Sequence, residues 1–172
     1  MEFNTLLNTR ESVRNYDPDK PVPQDVMKRI IEAGRLAPSA CNYQPYKFIV
    51  VSSQEILQKV RACYRRTWFQ DAPHILVITG DRSRAWTRSY DSYNSIETDM
   101  AIAMTHIVFA AANEGVASCW VEAYDPAVLR SALNLGAETE VFGITPLGYS
   151  RDITPSRKVK QRKSYNDIVE FI

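Results

Sequence analysis

The chain has 172 residues, of which 45% are hydrophobic, so its length fits one ordinary domain with a sizeable buried core. Lys and Arg number 21 against 20 Asp and Glu, and this balance gives no overall electrostatic reason to expect a nucleic acid or an anionic membrane as partner. The N-terminal residues show no signal-peptide pattern, and no apolar run approaches the roughly 20 residues of a membrane span, which predicts a cytoplasmic protein.

Cysteine and histidine usage gives no sign of a disulfide framework or a metal centre. The three cysteines are widely spaced and contain no CxxC pair, which predicts free thiols at Cys41, Cys63 and Cys119. His74 and His106 each lack a second ligand at helical spacing. We therefore expect no bound metal.

The first half of the chain predicts a helix, a strand, a helix and a strand. Apolar residues at spacings of three and four indicate an amphipathic helix over residues 25–37, closed by Pro38. β-Branched and aromatic residues predict a strand at Tyr46–Val51. Ser52 and Glu55 then form a plausible capping box for a helix to about residue 64. The apolar run at residues 74–79 predicts a buried strand that ends at Gly80.

Residues 82–95 are polar with interleaved aromatics and predict an irregular excursion. Its Arg84, Trp86, Arg88 and Tyr90 indicate either the mouth of a substrate pocket or a plain surface loop, and the loop is the commoner case. A long helix follows from Ile96, with Asn94 and Glu97 as a capping box and Gly115 as its stop. The remaining predicted elements are a strand at 117–123, a helix at 126–133, and a strand at 141–147 whose Pro146 indicates an edge or a bulge.

Alternating strands and helices suggest a doubly wound nucleotide-binding fold. However, the six glycines, at positions 34, 80, 115, 136, 143 and 148, form neither GxGxxG nor GxxxxGK[ST]. A Rossmann dehydrogenase and a P-loop enzyme are therefore disfavoured.

Arg10, Ser12 and Arg14 lie close together near the N-terminus. On a short helical turn, the i, i+4 spacing would place both guanidinium groups on one face. Two such groups with a hydroxyl between them suit a phosphate, because arginine binds phosphate oxygens in bidentate geometry. The alternative is a solvated helix in which Arg10 or Arg14 pairs with Glu11 or Asp17. The motif taken alone favours this solvated helix.

The segment APSACNYQPY, residues 37–46, places three polar side chains between two prolines, namely Ser39, Asn42 and Gln44. Amide side chains offer a donor and an acceptor together, which suits the edge of a ligand ring such as a flavin pyrimidine. The alternative is a tight connection whose polar groups bond to its own backbone. The two interpretations are evenly balanced.

Five of the seven residues from 157 to 163, RKVKQRK, are basic. Such a cluster is most often a solvated surface, but it can also bind a polyanion or clamp a phosphate. The net charge of the whole chain is close to zero, and no aromatic residues are interleaved with these basic ones. Both features argue against nucleic-acid binding.

In this order, the segments resemble the nitroreductase family of flavoproteins. The likeness is carried by R-x-S-x-R-x-[FY] at Arg10 to Tyr16, by APSACNYQPYKFIVV, by AP before the apolar strand, by GVASCW, and by PLGYS followed by the basic tail and YNDIVEF. These pieces span almost the whole chain. Glu11, Cys41 and Tyr46 depart from the usual family pattern.

The resemblance implies an α+β fold, one domain over residues 1–172, with a central, mostly antiparallel sheet flanked by helices. It also implies an intertwined homodimer whose C-terminal tail, about residues 156–172, reaches the partner subunit. FMN would be the cofactor and NAD(P)H the co-substrate. The FMN-binding residues would be Arg10, Ser12 and Arg14 from one subunit and Pro38, Ser39 and Asn42 from the other, with Lys160 and Arg162 closing on the phosphate.

The function implied is an FMN-dependent oxidoreductase that transfers hydride from NAD(P)H to nitroaromatics, quinones or similar small acceptors by a ping-pong mechanism. No catalytic side chain is assigned, because the flavin N5 carries the chemistry. The alternative is a flavin-binding or flavin-processing protein with little nitroreductase turnover. Nucleic-acid binding by the basic tail is the third and weakest hypothesis.

Overall fold

A four-stranded antiparallel sheet forms the middle of the molecule. The computed structural model describes residues 1–152 and 159–172. Its strands are β1 (Tyr46–Val51), β2 (His74–Gly80), β3 (Ala117–Ser118) and β4 (Glu140–Gly148), in the order β1-β2-β4-β3. All neighbouring strands are antiparallel. This confirms the α+β fold implied by the family resemblance, and the doubly wound arrangement suggested by simple alternation is wrong.

In the described part of the chain, six α-helices surround the sheet: α1 (Phe3–Thr9), α2 (Gln24–Arg35), α3 (Gln54–Arg61), α4 (Thr67–Gln70), α5 (Ile96–Asn113) and α6 (Pro126–Ala132). The predicted helices are present at α2, α3, α5 and α6. Helix α1 was not predicted, because Leu6 is its one buried side chain and it shows no apolar period. Across residues 1–152 and 159–172, no helix combines the length and the apolar character needed to cross a bilayer.

Strand β2 is buried along its whole length, and its side chains alternate between two cores. Leu76 and Ile78 pack with α2 and α5 on one face of the sheet. Ile75 and Val77 pack on the opposite face, with the layer that contains α3 and α6. The sheet is therefore sandwiched between two helical layers.

Neither predicted capping box is formed, although the Asn94 side-chain oxygen accepts the Ile96 N–H at 3.2 Å. Helix α3 follows Ser53 rather than Ser52, and the Ser52 hydroxyl lies 2.8 Å from Nδ1 of His74. At α5 the N-cap is Ser95, while Glu97 pairs with Arg82. The predicted stop after α5 is correct: Gly115 adopts φ +72°, a conformation that glycine adopts without steric cost.

The third strand is much shorter than the predicted 117–123. Ala117 pairs with Gly148 and Val121 forms an isolated bridge with Ile144, so this register places Cys119 opposite Pro146. Proline has no N–H to donate, and the ladder is interrupted at this point. Pro146 thus lies in the inner strand β4. The N–H that proline lacks would face Cys119, where the pairing between β3 and β4 is interrupted.

Candidate functional site

The N-terminal segment after α1 is extended and lies beside the broken third strand. Val13 donates its N–H to the Ser118 carbonyl oxygen at 3.0 Å, and Tyr16 forms a bridge with Ser150. Tyr16 is fully buried, and its hydroxyl donates to the Val13 carbonyl oxygen at 2.9 Å. Residues 10–14 are therefore not the helical turn expected from the sequence.

Arg10, Ser12 and Arg14 are nevertheless brought together, because alternate residues of an extended segment share a face. All three act on the thiol of Cys119. Burial raises the pKa of this thiol, and the positive charges of Arg14 and Arg10 and the Ser12 side chain oppose that rise. Cys119, at the interruption of the third strand, therefore marks the centre of the cluster.

Two residues of the C-terminal tail join the same cluster. Lys160 donates through Nζ to the Leu7 carbonyl oxygen at the end of α1. The pKa of Lys160 is lowered by partial burial and by the nearby positive charges of Arg10 and Arg162. Residues 156–158, the start of the predicted tail, lie outside the described residues.

The basic cluster, defined as Arg10, Arg14, Lys160 and Arg162, has unpaired charges. Arg10 lies over the ring of Phe109 at 6.0 Å and Arg14 over Trp68 at 5.8 Å. Within residues 1–152 and 159–172, none of the four forms an ion pair with a carboxylate. The alternative of pairing with Glu11 or Asp17 is therefore not what the structure shows.

Pro38, Ser39 and Asn42 lie in a tight turn between α2 and β1. Cys41, Asn42 and Gln44 all have positive φ, at 49°, 57° and 50°. The Ser39 hydroxyl accepts the Gln44 N–H at 3.1 Å, and the Gln44 amide donates to the Asn42 side-chain oxygen at 2.9 Å. Within one chain, these polar groups therefore bond largely to one another. This agrees with the alternative interpretation, a tight connection whose polar groups bond within the segment.

Asp99, which the sequence analysis missed, connects this turn to α5. Its carboxylate is 1% exposed; Oδ1 accepts the Ala40 N–H at 2.9 Å and Oδ2 accepts the Ser95 hydroxyl at 2.8 Å. A signal was available, since Asp99 lies three residues after Ile96 on the apolar face of the predicted helix. A carboxylate on a buried, apolar face needs hydrogen-bond donors, because an unpaired buried charge is unfavourable.

Glu122 is a second missed residue. It follows Cys119 and Trp120 along the open edge of β4, and burial raises the pKa of its carboxyl group. A Cβ atom at Gly143 would lie 2.8 Å from the Trp120 indole nitrogen and 3.3 Å from Glu122 Oε1. Glycine at this position therefore lets Trp120 and Glu122 pack directly on the strand.

The turn and the basic cluster lie at different places along α5. Asp99 holds the turn near the start of the helix, whereas Phe109, under Arg10, is ten residues further on. At 1.5 Å per residue, these two positions are about 15 Å apart along the helix axis. In one chain, the turn and the basic cluster are thus two separate places rather than a single pocket.

The nitroreductase family model matches this chain over residues 7–63 and 58–149. This chain belongs to the nitroreductase family. It is 31% identical over 154 residues, 86% of this chain and 84% of the relative, to a protein of Archaeoglobus fulgidus provisionally named an NADH dehydrogenase/NAD(P)H nitroreductase.

Solved structures agree with this assignment. A nitroreductase family protein from Clostridium difficile 630 superposes with a TM-score of 0.90 at 29% identity, covering 99% of this chain and 98% of the other. An FMN-dependent nitroreductase from Clostridium difficile R20291 gives 0.80 at 25% identity, covering 96% of each chain. Family membership makes this chain a nitroreductase-type oxidoreductase, and the relatives are named as an NADH dehydrogenase/NAD(P)H nitroreductase and as an FMN-dependent nitroreductase.

Proposed function

We propose that this nitroreductase binds FMN and transfers hydride from NAD(P)H to nitroaromatics, quinones or similar small acceptors by a ping-pong mechanism. The observation that carries the proposal is the basic cluster. Arg10, Ser12 and Arg14 act on one thiol, Lys160 lies near Arg10 and Arg162, and none of the four cations forms an ion pair within the described residues, although the charge of Glu11 acts on Lys160. Gathering like charges is unfavourable unless an anion is bound among them.

The cluster fits the phosphate of FMN. Arg10 and Arg14 supply planar guanidinium groups that can donate two parallel hydrogen bonds each, and Ser12 supplies a hydroxyl donor. Lys160 and Arg162 add two further cations from the tail. The turn with Pro38, Ser39 and Asn42 would contact the flavin ring, where the amide of Asn42 could serve as both donor and acceptor.

A homodimer would bring the turn and the basic cluster together. The turn of one subunit would complete the basic cluster of the other, since in one chain they are about 15 Å apart along α5. The face of α5 away from the sheet also carries partly exposed apolar side chains, among them Ile102 and Phe109. In the tail, Ile168, Phe171 and Ile172 are more than half exposed. Apolar surface of this extent favours a partner subunit.

Bound FMN would accept hydride at its N5 atom from NAD(P)H and return the electrons to the acceptor. The protein would hold the phosphate with its basic cluster, fix the ring with the turn, and leave one ring face open to both substrates in succession. No side chain is proposed as an obligatory acid or base. Shared use of one face is the reason to expect ping-pong kinetics.

The decisive experiment is an anaerobic titration of the purified protein with FMN, followed by NADH or NADPH and then by a nitroaromatic or quinone acceptor. We expect near-stoichiometric flavin bands that bleach with reductant and return with acceptor, and parallel lines in steady-state plots. Binding with slow bleaching would instead support a flavin-binding protein with little turnover. A light-scattering mass of twice the chain mass is expected for the dimer.

A further inference from the structure

Residues 86–95 form a hairpin-like loop with one isolated bridge and no strand, in agreement with the irregular excursion expected from the sequence. Thr87 bridges Asn94, Arg88 donates its N–H to the Tyr93 carbonyl oxygen at 2.8 Å, and Ser95 donates its N–H to the Trp86 carbonyl oxygen at 2.9 Å. The segment therefore has a defined shape, which we call the 86–95 hairpin.

The tip of this hairpin is fixed by its own side chains. The Arg88 guanidinium pairs with both carboxylate oxygens of Asp91 at 2.8 and 2.7 Å and lies 4.9 Å over the ring of Tyr93. The Tyr93 hydroxyl is hydrogen-bonded to Thr98 at the start of α5. Arg88, Asp91 and Tyr93 are thus used to build the hairpin.

The side chains of Tyr90 and Arg84 take no part in these contacts. The ring of Tyr90, at the tip, is 96% exposed. Arg84, just before the hairpin, is exposed and forms no ion pair within the described part of the chain, whereas neighbouring Arg82 binds both Glu97 and Glu140. An ordered hairpin therefore presents a free aromatic ring, and a free guanidinium group lies close to its base.

The hairpin ends beside the turn that we propose to contact the flavin ring. The carboxylate of Asp99 binds Ser95, the last hairpin residue, through one oxygen and Ala40 of the turn through the other. Tyr90 is five residues from Ser95, so it lies at most about 17 Å from this anchor.

We propose that the 86–95 hairpin and Arg84 bind the electron acceptor and select aromatic acceptors that carry a carboxylate. Tyr90 stacks on the acceptor ring, and Arg84 pairs with the carboxylate in bidentate geometry. The inference rests on the proposed function and names its acceptor class. For a nitroaromatic, the supported step is ArNO₂ + NAD(P)H + H⁺ → ArNO + NAD(P)⁺ + H₂O.

The test compares 4-nitrobenzoate with its uncharged methyl ester as acceptors for the FMN-loaded enzyme. Arg84→Gln should lower kcat/KM for 4-nitrobenzoate about tenfold, the equivalent of ~1.4 kcal/mol, and leave the ester almost unchanged. Tyr90→Ala should raise KM for both acceptors, and Tyr90→Phe, which keeps the ring, should restore it. Arg65→Gln, another exposed arginine, is the matched control.

Bleaching of the bound flavin by NAD(P)H should be the same in the wild type and in Arg65→Gln, and it is measured in every variant so that acceptor kinetics refer to the same amount of reduced flavin. Equal losses for acid and ester in Arg84→Gln, or unchanged kinetics in both Arg84→Gln and Tyr90→Ala, would overturn the inference while the proposed function stands. Failure of the wild-type protein to bleach would overturn the proposed function, and this inference with it.

Discussion

The backbone N–H of Val22 donates to Nε2 of His74 at 3.0 Å. Because Nε2 accepts this bond, the ring proton lies on Nδ1 and is donated to the Ser52 hydroxyl at 2.8 Å. His74 is 8% exposed, at the base of an apolar groove of about 1070 Å³ between α2 and β1. The imidazole thus connects the segment before α2 to the start of β2 in its neutral form.

Stability should therefore fall in mild acid. Burial lowers the pKa of His74 below its usual 6.5, so the folded protein favours the neutral ring more than the unfolded chain does. The stabilisation is complete above pH 6.5 and is lost as the pH falls from 6.5 through the lower folded pKa. Thermal unfolding between pH 8 and pH 5 measures this loss.

His74→Ala should leave the Val22 N–H without its acceptor, costing about 1–3 kcal/mol at pH 8, and should flatten the pH dependence. Exposed His106 is the control, since His106→Ala should keep the wild-type slope. A His74→Ala protein with the same slope as wild type would show that other groups cause the acid loss.

Asp99 should be the most sensitive position in the turn. Asp99→Ala removes the acceptor for the partly buried Ala40 N–H and for the buried Ser95 hydroxyl, so we expect a loss of about 2–4 kcal/mol in the free energy of unfolding. Asp99→Asn keeps one carbonyl oxygen and should lose less than half as much. Chemical denaturation measures both, and equal stability of Asn and Ala variants would contradict this bonding.

Much of the fold could be predicted from local sequence. Strand β1 and the ends of β2 and α5 follow from apolar periodicity, from Gly80 and from Gly115, which act over a few residues. Whether neighbouring strands are parallel or antiparallel could not be obtained from the alternation of strands and helices. It depends on how α3 and α4 lead the chain from β1 back to β2. The short β3 depends on Pro146, nearly thirty residues further along the chain.

The candidate site likewise combines features that local sequence indicates with contacts that only the folded chain makes. The residue types of Arg10, Ser12 and Arg14 suited a phosphate but alone favoured a solvated helix, and their common face comes from backbone held by Ser118, a contact that no local pattern shows. Lys160 joins them through α1, which has no apolar period. Asp99 was missed because its partners, Ala40 and Ser95, are defined only by the folded turn and helix start.

Gly80 should not tolerate a side chain. A Cβ atom there would lie 2.5 Å from the Pro45 carbonyl oxygen and would also overlap the end of the Met100 side chain. The backbone oxygen cannot move aside cheaply, so Gly80→Ala should cost about 1–3 kcal/mol of stability. In Gly136→Ala, by contrast, the new methyl meets only the flexible Glu138 side chain, and unfolding should change by less than about 0.5 kcal/mol. Similar melting temperatures for the two variants would be inconsistent with this packing.

Comparison of FMN with riboflavin gives the most direct test of the basic cluster, because riboflavin lacks the phosphate. Arg10→Gln and Arg14→Gln should each weaken FMN binding by about 10- to 100-fold, as expected for the loss of 1.5–3 kcal/mol in a charge-assisted hydrogen bond. Riboflavin binding should change little in either variant. Fluorescence titration of each flavin supplies the dissociation constants.

Arg151→Gln is the matched control, since Arg151 is an exposed arginine whose charge is already paired with Asp71. It should bind both flavins as wild type does. Arg14→Lys separates charge from geometry, and a partial loss for FMN alone would indicate that the planar guanidinium group contributes beyond its charge. If Arg10→Gln and Arg14→Gln weakened FMN and riboflavin equally, the two arginines would act on the shape of the site through Phe109 and Trp68, and the phosphate would have to bind elsewhere.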